Sequence, residues 1–74
     1  MTDNATHAVD KLIRMANQIA VAFSAQPREQ AITGVADHIK AFWTPKMRRD
    51  IGVHLAEGGG RLEPLAKAAL ERLQ

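Results

Sequence analysis

The chain has 74 residues and a formal charge of +2, from ten Lys/Arg against eight Asp/Glu, and it contains no cysteine. One small domain with a modest core is the ceiling at this length. Disulfides, thiolate metal clusters and thiol nucleophiles are excluded, and so balanced a charge does not point to nucleic acid.

Residues 1–5 are polar and read as a flexible N-terminus ahead of a single helical domain over 6–74. Met1-Thr2-Asp3-Asn4 has no basic region followed by an apolar one, so no signal peptide is expected. No apolar run approaches the roughly 20 residues of a membrane span. Apolar residues are 46% of the chain but aromatic ones only 4%, and the alanine-rich remainder favours helices over sheets.

From Thr6 to Ala25 the apolar positions Val9, Leu12, Ile13, Ala16, Ile19, Ala20 and Phe23 have the spacing of one helical face. Asp10, Lys11, Arg14, Asn17 and Gln18 fall on the other side. Val21 lies off the stripe and could mark a contact surface. Ser24-Ala25-Gln26-Pro27 breaks the pattern. A second helix is expected from Pro27 to Phe42, with Glu29 near its positive end. Its apolar face is Ala31, Ile32, Val35, Ala36, Ile39 and Phe42, with Trp43 following on nearly the same side. Gly34 lies inside this helix, where glycine costs about 1 kcal/mol against alanine. Close approach of a neighbouring helix accounts for it.

Phe42-Trp43-Thr44-Pro45-Lys46-Met47-Arg48-Arg49 holds the only tryptophan and the densest run of positive charge. The residue before a proline avoids the α region, threonine is a good N-cap, and proline suits the first helical position. One helix therefore ends near Trp43 and the next runs from Pro45 to about Glu57, with Met47, Ile51, Leu55 and His54 in its stripe. Gly52 weakens its interior, and Gly58-Gly59-Gly60 ends it. A last helix is expected from Leu62 to Leu73, with Pro64 in its first turn and Leu62, Leu65, Ala66, Ala69, Leu70 and Leu73 on one face. The fold class is all-α, a small bundle of about four short helices.

Chemistry is sparse in this pattern. The histidines, at positions 7, 38 and 54, are not paired at the i, i+4 spacing that brings two imidazoles to one metal. His54 falls in an apolar stripe and reads as a packed histidine. His38 lies at the edge of its stripe, where it serves either structural hydrogen bonding or partner contact. Ser24, the only serine, has no nearby histidine and no nucleophile elbow. Gly58-Gly59-Gly60-Arg61 precedes a helix, as a phosphate cradle does, but no strand leads into it and no Gly-Lys-Ser/Thr follows, so it is not a P-loop and reads as a helix stop. The carboxylates form no fixed pair and read as solvated.

Lys46, Arg48 and Arg49 are the stronger signal. Cations near a helix N-terminus oppose the macrodipole, so helix stability does not explain them. Arginine beside tryptophan is the make-up of an interface anchor, and guanidinium also suits phosphate. Trp43 itself has two readings, an anchor at the corner or a core residue.

Several segments resemble the small delta subunit of soluble NAD-dependent, molybdenum-containing formate dehydrogenases. They are Met15-Ala16-Asn17-Gln18-Ile19-Ala20, Gly34-Val35-Ala36-Asp37-His38-Ile39, Phe42-Trp43-Thr44-Pro45-Lys46-Met47-Arg48, and Leu62-Glu63-Pro64-Leu65 with Ala68-Ala69. The resemblance extends over about residues 12–70. The family often has an acidic residue at Thr44 and arginine at Lys46; both changes keep the N-cap and the cation. The resemblance implies a cytoplasmic, non-catalytic accessory subunit that helps assemble or stabilise the large molybdenum-containing alpha subunit. The parent complex would carry a bis-guanine-dinucleotide molybdenum cofactor, iron–sulfur clusters, FMN and NAD, with none expected on this chain. Candidate partner- or ligand-binding residues are Asn17, Gln18, His38, Trp43, Lys46, Arg48 and Arg49. The alternative reading is a nucleotide- or cofactor-binding module acting in molybdenum cofactor insertion, with the basic corner on a nucleotide phosphate. Neither membrane nor nucleic acid is expected as a partner.

Overall fold

The computed structural model describes residues 3–74, with side chains from Ala8 onward. Met1 and Thr2, the start of the segment expected to be flexible, and the His7 side chain lie outside the described residues. Four helices follow in order: α1 Asp3–Phe23, α2 Arg28–Phe42, α3 Pro45–Ala56 and α4 Pro64–Leu73. No strand occurs among the described residues, and no helix there is long and apolar enough to cross a membrane.

Local chemistry sets the helix boundaries. Beyond the end of α1, the Ser24 amide and hydroxyl both donate to the Val21 carbonyl, at 3.1 and 2.7 Å. Pro27, the expected first residue of α2, is instead its N-cap (φ −53°, ψ 147°), so the helix begins one residue later, and only the Pro27 carbonyl takes part, accepting from the Ala31 amide at 2.9 Å. Thr44 caps α3 as its sequence predicts. Its hydroxyl accepts from the Met47 amide at 3.1 Å, while its own amide donates to the Met47 sulfur at 3.5 Å. That is a capping box with a thioether where Glu or Gln usually stands. α4 begins at Pro64, later than the expected Leu62, because Glu63 precedes a proline and is held extended as the N-cap.

The turn after α3 is a Schellman motif: the Gly58 amide donates to the Leu55 carbonyl and the Gly59 amide to the His54 carbonyl, each at 3.0 Å. Gly58 and Gly59 have φ of 119° and 64°. Gly59 is also buried, and a Cβ there would meet Leu55 and Lys67 atoms at 3.2 Å. Glycine meets both conditions without strain.

The core is apolar throughout, built from Leu12, Ile13, Ala16 and Ala20 of α1, the Ala31–Ile39 stripe of α2, Ile51 of α3, and Ala66, Ala69 and Leu70 of α4. α1 and α4 each pack on all three other helices, whereas α2 and α3 do not pack on one another. Ala31, Ala66 and Ala69 are fully buried, and small side chains of this kind let α2 and α4 pack closely. Gly34 does the same for α1, since a Cβ there would stand 2.5 Å from the Phe23 ring.

One core assignment reverses. Phe42 was expected on the apolar face of α2 but is 73% exposed, while Trp43 is 6% exposed and belongs to the core. In helical phase Trp43 continues the 32-35-36-39 stripe better than Phe42 does. The extended backbone of Trp43 (φ −87°, ψ 139°) ends α2 at this point.

Candidate interaction surface

The candidate residues distribute over three places. Asn17 serves the protein's own loop: its Nδ2 donates to the Arg61 carbonyl at 2.9 Å, and its Oδ1 accepts from the Glu63 amide at 2.8 Å. Arg61, at φ 69°, holds the same loop through its guanidinium, which donates to Asp10 Oδ1 at 2.7 Å. His54 completes the fastening. Its Nε2 lies 2.7 Å from the Gly60 carbonyl, an acceptor, so Nε2 carries the proton. His54 is half-buried at the rim of the bundle, with a polar partner, rather than packed inside it.

The basic corner forms a second place. Lys46 pairs with Asp50 one turn along α3, at 2.7 Å. Arg48 is half-buried and Arg49 exposed, and among the described residues neither meets a carboxylate. Both border an open hollow of about 300 Å³ shared with Pro45, Leu73 and Gln74. The start of α3 supplies the cations of this surface, and the end of α4 supplies an apolar and an amide side chain.

Gln18, His38 and Trp43 meet at the third place, an open groove of about 360 Å³ between α1 and the α2–α3 corner. The edge of Trp43 joins Met15, Ile19 and Met47 in lining it. Phe42 also lines it, and its ring lies against that of His38, with centroids 4.7 Å apart at 41°. Ring contact at i, i+4 is what one helix turn provides. Trp43 thus takes the core reading of its two, and the exposed aromatic at the corner is Phe42.

Sequence reasoning missed the groove residues Phe42, Ile19 and Met47 by placing them on core stripes, and Met15 by placing it on no face. A signal was present. On α1, Ala8, Met15, Ile19 and Ala22 recur at helical spacing beside the core stripe, a second apolar face that the first one masks.

Among the described residues, no group of three or more His, Cys, Asp or Glu is placed to hold a metal ion. What the surface offers is an apolar groove edged by polar groups, adjoining a cationic corner.

Comparison with known proteins gave no match among curated proteins and none among solved structures. The family model of the NADH-dependant formate dehydrogenase delta subunit FdsD matches residues 11–70, which takes in the whole groove, the three cations of the basic corner and the loop fastening apart from Asp10. The chain belongs to this delta-subunit family.

Proposed function

We propose that the chain is a non-catalytic accessory subunit of a soluble NAD-dependent formate dehydrogenase complex, which helps assemble or stabilise the molybdenum-containing alpha subunit. The observation that carries this reading is the apolar groove at the corner, where Phe42 is 73% exposed beside the half-buried Met15, Ile19 and Met47. A contiguous apolar patch of this kind marks a docking site more often than a solvated face. In this reading the bis-guanine-dinucleotide molybdenum cofactor, the iron–sulfur clusters and FMN belong to other subunits, as does the NAD site. A chain without cysteine offers no thiolate for an iron–sulfur cluster.

The test is to produce the complex with the wild-type chain, without it, and with Phe42→Asp. Phe42→Asp should melt within a few degrees of wild type, because the side chain is outside the core. It should be lost from the purified complex, with formate-dependent NAD reduction falling in parallel. An anchor of this kind is worth about 2 kcal/mol or more, roughly a thirtyfold change in association. Full activity and full alpha-subunit yield without the chain would overturn the reading.

Arg48 and Arg49 favour a second reading, in which the corner holds a nucleotide phosphate during cofactor insertion. Binding of GTP to the purified chain, weakening steeply with salt and lost in Arg48→Ala, would support it. Absence of binding at low salt removes it.

A further inference from the structure

The groove at the corner is one half of a longer channel. A second hollow, of about 300 Å³, meets it at Met15 and Met47, and α1 forms one wall of both from Ala8 to Ala22. At 1.5 Å per residue that wall is about 21 Å long, the length of a four-turn helix. The composition changes along it. The end nearer Ala22 is apolar and aromatic, with Ile19, Phe42 and Trp43. The other end is rimmed by Lys11 on α1 and Lys46 on α3. Among the described lining residues Asp50 is the only carboxylate; it pairs with Lys46 at 2.7 Å, so Lys11 carries the net positive charge of this end.

We propose that this channel seats one amphipathic α-helix of a partner subunit. Its apolar i, i+3/i+4, i+7 face would lie on Met15, Ile19, Phe42 and Met47, and an Asp or Glu side chain at one end would reach Lys11. The proposal rests on the accessory-subunit reading and adds the surface and the chemistry of its occupant. An apolar floor between helices fits helix-in-groove recognition, and with no strand among the described residues there is no sheet edge to take an extended peptide. Methionines at the middle of the channel suit this use, because their unbranched side chains adapt to the knobs of a facing helix. A second copy of the chain fits less well. Groove-on-groove pairing about a two-fold axis along the channel brings the cationic rims together, and about an axis across it sets each rim on the other copy's aromatic end, where no lining carboxylate meets it.

The experiment uses the intact complex. A photo-reactive phenylalanine analogue is placed at Gln18, at Ala22 and, as control, at Glu71 on α4, which contributes no residue to the channel. Gln18 and Ala22 should cross-link to a single helical segment of another subunit that is apolar on one face and acidic at one end, and Glu71 should not reach that segment. Lys11→Glu should weaken retention of the chain in the complex by about tenfold, with Lys11→Gln intermediate, since a rim charge acts through complementarity. Its melting temperature should match wild type because Lys11 is exposed. Cross-links to a second copy of this chain, or to a segment that is not helical or bears no acidic residue, overturn the proposal. So does a chain that stays in the complex and cross-links only from Glu71, an outcome that leaves the accessory reading standing. A chain that does not co-purify with the dehydrogenase overturns both.

Discussion

Asn17 has both ends of its amide engaged by backbone that is distant in sequence, the Arg61 carbonyl and the Glu63 amide. Its removal leaves two loop groups to water or to nothing, and each hydrogen bond is worth about 0.5–1.5 kcal/mol. Asn17→Ala should therefore destabilise the isolated chain by roughly 1–3 kcal/mol. In a domain of this size each kcal/mol moves the melting temperature by about 4–8 °C, so thermal unfolding followed by circular dichroism reads the change directly. A melting temperature equal to wild type would return Asn17 to the partner-binding residues. Arg61 is a non-glycine residue at positive φ, which costs on the order of 1 kcal/mol or more. Its ion pair with Asp10 is on the surface and offsets little of that. The loop keeps its shape because Asn17, His54 and the Schellman turn hold it at several points.

At the scale of the helices, two interior glycines look alike in sequence and differ in structure. Gly34 faces the Phe23 ring, which a Cβ would meet at 2.5 Å. Gly52 faces only the far end of the Gln74 side chain, at 3.0 Å. Gly34→Ala should lose stability by about 1–3 kcal/mol through overpacking, despite its gain in helix propensity. Gly52→Ala should gain up to about 1 kcal/mol, because Gln74 can swing aside. Urea titration of the two variants should show midpoints moving in opposite directions; movement in the same direction would contradict the packing account. The cap of α3 gives a third prediction. Thr44→Ala removes the acceptor of the Met47 amide and should cost about 1 kcal/mol, with Thr44→Asp restoring it, since an anionic cap also suits the helix dipole.

For the whole molecule, the two aromatics of the corner separate stability from assembly. Trp43 is inside the core, so Trp43→Ala should cost about 3–5 kcal/mol, enough to unfold much of a marginal small domain. Phe42 and Arg48 are outside it, and their truncation should leave unfolding nearly unchanged while weakening assembly with the dehydrogenase. Arg48→Ala that assembles and supports formate oxidation like wild type would remove the cationic corner from the interface and leave the groove to carry it. The exposed Arg72–Glu29 pair between α4 and α2, at 3.0 Å, should matter to neither, since solvent screens such pairs to about 0–1 kcal/mol.

The sequence alone determined what depends on local chemistry. Proline and threonine at 44–45 and glycines at 58–60 define helix ends through backbone sterics and capping, so the four helices and their punctuation were legible before any contact was known. The ordered segments from Met15 to Ala69 were specific enough to identify the family, which the match over residues 11–70 bears out. The tertiary structure decided what depends on phase and neighbours. Phe42 and Trp43 are adjacent apolar residues at a helix end; helical phase favours Trp43 on the core stripe, and the packing of α1 against α2 and α3 buries it while leaving Phe42 outside. Asn17 reads as a surface amide until the α3–α4 loop, more than forty residues away, is laid across it. The groove is the clearest case: its residues come from α1, the end of α2 and the start of α3, and helical periodicity within one segment carries no record of a surface that three segments build together.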